Sequence, residues 1–211
     1  MSEAAQAAQH VHRDPVGARI GMWLFLFTEL ILFAGLFLAY AVFRLRYAAD
    51  FHYAAGELNV AVGTINTLIL LTSSLTMVLA IAALERAQRR LCALFTSATI
   101  LLGFVFLVNK YFEWSHKIHL GLYPNSPALA VKPPGEVVFY GLYYTMTGLH
   151  GLHVLAGMGV LTWMLVLILR HPRSRAFLAE SHHIRLENAG LYWHLVDIIW
   201  IFLFPLFYLI S

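Results

Sequence analysis

Five long apolar runs, separated by short charged segments, set the plan of this chain. Residues 58–84, 91–109 and 137–169 contain no Asp, Glu, Lys or Arg. Residues 20–43 contain one such residue, Glu29, and residues 188–211 contain one, Asp197. A helix needs about 20 apolar residues to cross the hydrocarbon layer of a bilayer, and each run can supply them. The run over 137–169 has residues to spare, which suits a tilted or projecting helix. The pattern predicts an all-α integral membrane bundle of five transmembrane helices at about 18–43, 59–84, 91–112, 137–169 and 188–210. These form a single transmembrane domain over 18–211, preceded by a flexible cytoplasmic tail over 1–17.

Composition excludes the soluble alternative. The chain is 60% hydrophobic and 12% charged, against about 25% charged in ordinary soluble domains. Five such runs leave too little polar sequence to cover them as buried core helices.

The basic residues orient the spans. Arg13, Arg19, Arg86, Arg89, Arg90, Arg170, Arg173, Arg175 and Arg185 fall on one side of the membrane. Arg44, Arg46, Lys110, Lys117 and Lys132 fall on the other. The imbalance predicts a cytoplasmic N-terminus and an external C-terminus. A formal charge of +3, carried in short loops flanking the membrane, fits lipid contact and gives no nucleic-acid footprint. Cys92 is the only cysteine, which rules out an intramolecular disulfide and a cysteine metal cluster. The first ten residues lack the layout of a cleaved signal.

The connections differ in kind. The segment over 84–91 is short and basic, so the second and third spans should be antiparallel neighbours. The segment over 112–136 is the longest and holds Pro124, Pro127, Pro133, Pro134, Gly121 and Gly135. Its prolines stop a helix and stiffen an external loop, either as a docking surface or as a plain connector.

Ionisable groups at membrane depth are costly, rare and turned towards protein or water. Glu29 lies about midway along the first span. Its own helical face offers only Met22, Phe25, Leu26, Phe33 and Leu36, so a partner must come from another helix, a headgroup or water. On the fourth span Tyr143, Met146, His150, His153 and Gly157 share one stripe. Gly141, Gly148 and Gly151 share another, a flat face suited to close helix packing. On the fifth span Gly190, Trp193, His194, Asp197 and Trp200 share a broad face, and Asp197 is one turn beyond His194. On the second span Asn59, Gly63, Asn66, Ser73 and Ala80 form a small, mildly polar seam. Counting depth places Glu29, His150, His153 and Asp197 within about two turns of their helix midpoints. Three roles fit these groups: a polar cluster that locks helices or contacts lipid, a metal or haem site through the histidines, or a proton relay.

The motifs are also specific to a family. GMWLFLFTELILFAGLF around Glu29, INTLILLTSS, FLVNKYFEWSHKI with Glu113, TGLHGLHVLAG with His150 and His153, and ENAGLYWHLVDIIWIFLF with Glu187, Trp193, His194, Asp197 and Trp200 occur in this order. Together they resemble subunit III of the haem-copper cytochrome c and quinol oxidases, from about residue 21 to the C-terminus. The resemblance implies a helical bundle packed against subunit I, which holds the haems and copper, with subunit II in the same complex. It implies no catalytic residue, metal or redox centre in this chain. It also implies a role in proton uptake and in keeping subunit I active while the complex reduces dioxygen to water and pumps protons. Many members hold phospholipid in a cleft walled by two further N-terminal helices. The residues here do not supply those helices, so either the cleft is lost or a neighbouring subunit completes it. Leu191 stands where an aromatic residue is usual. The short five-helix form suggests a bacterial cytoplasmic (inner) membrane. Nitric oxide reductase-associated proteins belong to the same family, and a proton-conducting membrane protein remains the alternative from a different class.

Overall fold

The computed structural model of the chain describes residues 15–170 and 180–210. Seven helices account for nearly all of them: α1 (Pro15–Arg46), α2 (Ala48–Gly56), α3 (Val60–Glu85), α4 (Arg89–His119), α5 (Pro127–Ala130), α6 (Pro134–Arg170) and α7 (Glu180–Tyr208). Five are long and apolar enough to cross a bilayer, namely α1, α3, α4, α6 and α7. Residues 1–14 of the expected tail lie outside the described residues, and residues 15–17 already belong to α1. Pro15 suits that first turn, where its missing N–H costs nothing.

Four helices close a ring: α3 packs on α4, α4 on α6, α6 on α7, and α7 back on α3. The remaining span, α1, leans on α6 and α7 from outside. Only 11% of its most apolar window is buried, against 50% for α7. One cluster of buried apolar side chains runs through the bundle, with Phe33, Phe106, Tyr143, Trp193, Trp200 and Phe207 among its members.

Helix ends depart from the expected ones where polar residues continue a helix instead of closing it. The third span was expected to stop near 112, yet α4 runs to His119. It stops at Gly121, whose φ of +72° suits a residue without a Cβ. There Leu122 N–H donates to the Lys117 carbonyl and Gly121 N–H to the Ile118 carbonyl, the paired bonds of a glycine-closed helix end. Most of the expected long loop is thereby short, and α5 occupies its middle behind a Ser126 cap. The helix α2 was not foreseen. It crosses the end of the bundle and offers Asp50 Oδ2 to the Gly135 N–H at 3.0 Å, which anchors the start of α6.

The tight basic turn after α3 forms as expected, with Ala87 at φ 57°. Arg89 then reaches across to the end of α6. Its Nε donates to the Ile168 carbonyl at 2.7 Å and its Nη2 to the Leu169 carbonyl at 2.6 Å. These two charge-assisted bonds tie the start of α4 to the last described turn of α6.

Candidate functional site

The ionisable groups at membrane depth do not form one cluster. They divide into four sets, each bridging different helices.

Glu29 on α1 meets His153 on α6, with Glu29 Oε2 2.8 Å from His153 Nε2. His153 Nδ1 lies 2.7 Å from the Leu149 carbonyl. A carbonyl only accepts, so Nδ1 carries a hydrogen. Nε2 and Glu29 therefore share a single proton: either the ring is cationic and the carboxylate charged, or both are neutral and Glu29 donates. The pair is electrically neutral in both forms. Phe33 sits edge-on to the imidazole at 5.3 Å, and Tyr192 OH donates to the His153 carbonyl at 3.2 Å. Both side chains of the pair are mostly covered, with 14% and 17% exposure.

His150 is one turn earlier on α6 but faces the ring interior. It is fully buried, with its ring centroid 5.5 Å from Phe106 and 5.2 Å from Trp200. Neither ring nitrogen has a hydrogen-bond partner among the described residues.

A third set joins α3 to α7. Ser74 Oγ and His194 Nδ1 are 2.6 Å apart, and Trp193 Nε1 donates to Ser73 Oγ at 3.0 Å. Ser73 spends its own hydrogen on the Leu70 carbonyl. Asp197 is 3% exposed beside these serines, yet neither carboxyl oxygen receives a well-formed bond from them. The seam on α3 performs as packing surface: Gly63, Asn66, Ser73 and Ala80 are all buried. Asn59 caps the helix by accepting the Val62 N–H.

The fourth set was read only in part from the sequence, which named Glu113 as the family's acidic position and Tyr143 on the α6 stripe but used Lys110 only to orient the spans. Lys110 is 7% exposed. Its Nζ donates to Glu113 Oε2 at 3.1 Å, Tyr143 OH at 3.1 Å and Tyr208 OH at 2.9 Å. The Tyr143 and Tyr208 hydroxyls both donate to Glu113 Oε1. Three helices are thus joined by a buried pair whose hydrogens are all spent. The i, i+3 spacing of Lys110 and Glu113 was the available signal.

At the end of the bundle near α2, Glu57 accepts from Tyr140 OH at 2.6 Å and from Lys132 at 3.2 Å. Lys132 also donates to Glu136 Oε2 at 2.7 Å. Partial burial opposes ionisation of Glu57, but the bonds from Tyr140 and Lys132 and the charges of Lys132 and Lys117 outweigh it. They hold the carboxyl below its usual range. Burial likewise opposes the Lys132 charge, and the bonds to Glu136 and Glu57 overcome it and raise that ammonium.

At the opposite end Glu187 binds Arg19 at 3.1 Å, and His183 lies 3.4 Å from Glu187 and 3.6 Å from Glu85. Glu85, His183 and Glu187 hold their ligand atoms within 4.8 Å of one another. Glu85 is largely exposed and Arg19 already neutralises Glu187, so ion pairing accounts for this trio.

The expected packing glycines separate. A Cβ at Gly148 would meet Trp114 at 3.1 Å, whereas one at Gly151 would find Leu107 only at 4.0 Å and one at Gly141 would find nothing. Among the described residues the flat face is therefore close-packed at Gly148 alone. The tight approaches lie elsewhere: Gly103 on α4 and Gly157 on α6 make room for Trp193, at 2.7 Å and 2.9 Å. Those glycines face the ring interior, where a bulky indole needs space.

Comparison with known proteins places this architecture. The chain matches the sequence model of the family described as Cytochrome c oxidase subunit III over residues 1–211. It belongs to that family. It is 33% identical over 192 residues to Cytochrome c oxidase subunit 3 of Alkalihalophilus pseudofirmus, covering 91% of this chain and 86% of that protein. It is 31% identical over 215 residues to Cytochrome bo(3) ubiquinol oxidase subunit 3 of Pseudomonas aeruginosa, covering 99% and 92%. It is also 32% identical over 198 residues to Heme-copper oxidase subunit I+III of Aeropyrum pernix, covering 91% of this chain and 22% of that longer protein. Subunit III is thus a part of a haem-copper oxidase complex, and this chain is a multi-pass membrane member of the family.

Proposed function

We propose that this chain is a non-catalytic accessory subunit of a respiratory oxidase in a bacterial plasma membrane. It sits beside subunit I, in a complex with subunit II that reduces dioxygen to water and pumps protons. It carries no redox centre of its own. Its work is to stabilise subunit I and support proton uptake over many turnovers.

The observation that carries this reading is how three sets of depth-placed polar groups are spent. Glu29 with His153, Lys110 with Glu113 and two tyrosines, and His194 with Ser74 each bind one helix to another. These bonds make a rigid partner surface, where a redox site would need three or four convergent ligands with their own supporting shell. The relative whose name joins subunits I and III in one chain supports side-by-side packing with subunit I. The outward face of α1, with Trp23, Phe27, Ile31 and Leu38 exposed, is the natural place for another subunit or lipid to cover.

The test is turnover lifetime. The oxidase complex is purified with and without this chain, and oxygen uptake is followed under sustained turnover. Equal initial rates with faster loss of activity in the depleted complex are expected. Loss of the haem or copper signals together with this chain would refute a non-catalytic role.

A further inference from the structure

A cavity of about 870 Å³ opens beside the last turns of α4, at the end of the bundle that carries α2. Glu57, Asn109, Glu113, Lys117 and Lys132 line it, and Leu120 supplies apolar wall.

Lys117 is the group there without a counter-charge. Its charged neighbours are already paired, Glu113 with Lys110 and Lys132 with both Glu57 and Glu136. Among the described residues no carboxylate makes an ion pair with Lys117, although it is only 5% exposed. Its one bond goes to the backbone carbonyl of Glu57. An ammonium carries three donors, so two N–H groups remain to be spent. A covered charge with no counter-charge is costly, and an anion entering the cavity would remove that cost.

The height of the cavity selects the kind of anion. About 20 helical residues cross the hydrocarbon layer, and the charge-free run of α4 begins at Leu91. Arg89, tied to the Ile168 and Leu169 carbonyls, sets the start of α4 level with the end of α6. The far edge of the layer therefore falls near Lys110. Lys117 stands about 10 Å further out at 1.5 Å per residue. Apolar side chains at that height have no lipid tail to meet, yet Leu120 is 53% exposed and Val131, beside Lys132 in the chain, is 86% exposed. Exposed apolar groups that rim a charged cavity outside the hydrocarbon layer mark a protein contact. We propose that this cavity receives an acidic side chain from an extramembrane loop of a neighbouring polypeptide, with its carboxylate on Lys117 and its flanking apolar residues on Leu120 and Val131. The inference goes beyond the subunit reading and rests on it only for the presence of neighbouring chains.

The test is site-directed photo-crosslinking in the intact complex, with photoreactive benzoylphenylalanine at position 131 and the adducts mapped by mass spectrometry. An adduct to one loop of another polypeptide, containing Asp or Glu, is expected. Its yield should fall about tenfold in Lys117→Gln, the effect of losing one charge-assisted contact, and should persist in Lys117→Arg. Lys117→Glu should abolish it, and exchanging the mapped carboxylate for lysine should restore it. If Lys117→Gln blocks assembly, exchanging the mapped carboxylate for its amide must give the same tenfold fall. An adduct indifferent to both changes, an adduct to a loop without a carboxylate, an adduct to lipid alone, or no adduct would overturn the proposal. Haem absorbance of the same sample reports separately on the oxidase partner, so failure here is distinguishable from failure of the subunit reading.

Discussion

Glu29 offers a sharp test of how a polar pair is used inside this bundle. The geometry gives the pair a single shared proton, because the Leu149 carbonyl fixes the hydrogen on His153 Nδ1. Glu29→Gln preserves that arrangement, since its amide donates to a neutral Nε2 as a protonated carboxyl would. Glu29→Ala strands Nε2, which at 14% side-chain exposure has little water to turn to. Hydrogen bonds between membrane helices average about 0.6 kcal/mol and reach about 1.7 kcal/mol, and stranding a buried partner costs about 1–3 kcal/mol. A loss of about 1–2 kcal/mol follows, or roughly 2–8 °C in melting temperature for a chain of this size. Glu29→Gln should stay within about 0.5 kcal/mol of the unaltered protein, the usual scale of a substitution that keeps its contacts. The assay is thermal release of this chain from the purified complex, with Glu29→Ala, His153→Ala and their double variant closing a mutant cycle. Equal losses for Gln and Ala, or additive effects of the two sites in the cycle, would refute a hydrogen-bonded Glu29–His153 pair.

Three further outcomes follow from other contacts. Lys110→Met leaves Glu113 as an uncompensated buried carboxylate and should cost about 3–5 kcal/mol; adding Glu113→Gln should restore most of it, measured as yield of assembled chain. Ala87 holds φ 57°, a conformation costing about 1–2 kcal/mol for a residue with a Cβ, so Ala87→Gly should raise the melting temperature. The clamp near α2 should be strongest around neutral pH. Glu57 is held below its ordinary value of 4.5, so its contribution is present above that value and lost as acid takes the pH through the lowered one. Lys132 is raised above 10.5, so its contribution is complete below that value and lost as alkali takes the pH through the raised one. Hydrogen exchange of α2 amides across the pH range reads both limbs; flat protection through the acid limb would contradict the Glu57 assignment.

The spans were legible because runs without Asp, Glu, Lys or Arg have one economical use at this length. Their ends were not. KYFEWSHKIH reads as loop by its charges, but Lys110, Glu113 and Lys117 continue one helical face and find partners on other elements. The helix α2 was hidden for the same reason, since residues 44–57 mix Arg44, Arg46, Asp50 and Glu57 with apolar positions. Depth counting puts Glu29 at the level of the α6 histidines, and in the structure Glu29 meets His153. It did not choose between them, because residues three apart on a helix point about 60° apart and only the neighbours decide. His153 faces α1, while His150 faces Phe106 and Trp200. Asp197 and His194 were read as one turn apart and able to meet, but His194 bonds Ser74 on α3 instead, a contact no single-helix pattern reveals.

On the proposed function, this chain works beside a haem-bearing subunit and needs no redox chemistry of its own. Gentle detergent capture of the tagged chain, followed by visible absorption and oxygen uptake on the eluate and on the separated chain, separates that reading from a haem-binding chain. A haem-containing, oxygen-consuming eluate and a colourless separated chain are expected. A haem spectrum in the separated chain, a haem partner that consumes nitric oxide but no oxygen, or a colourless eluate without a large partner would contradict it.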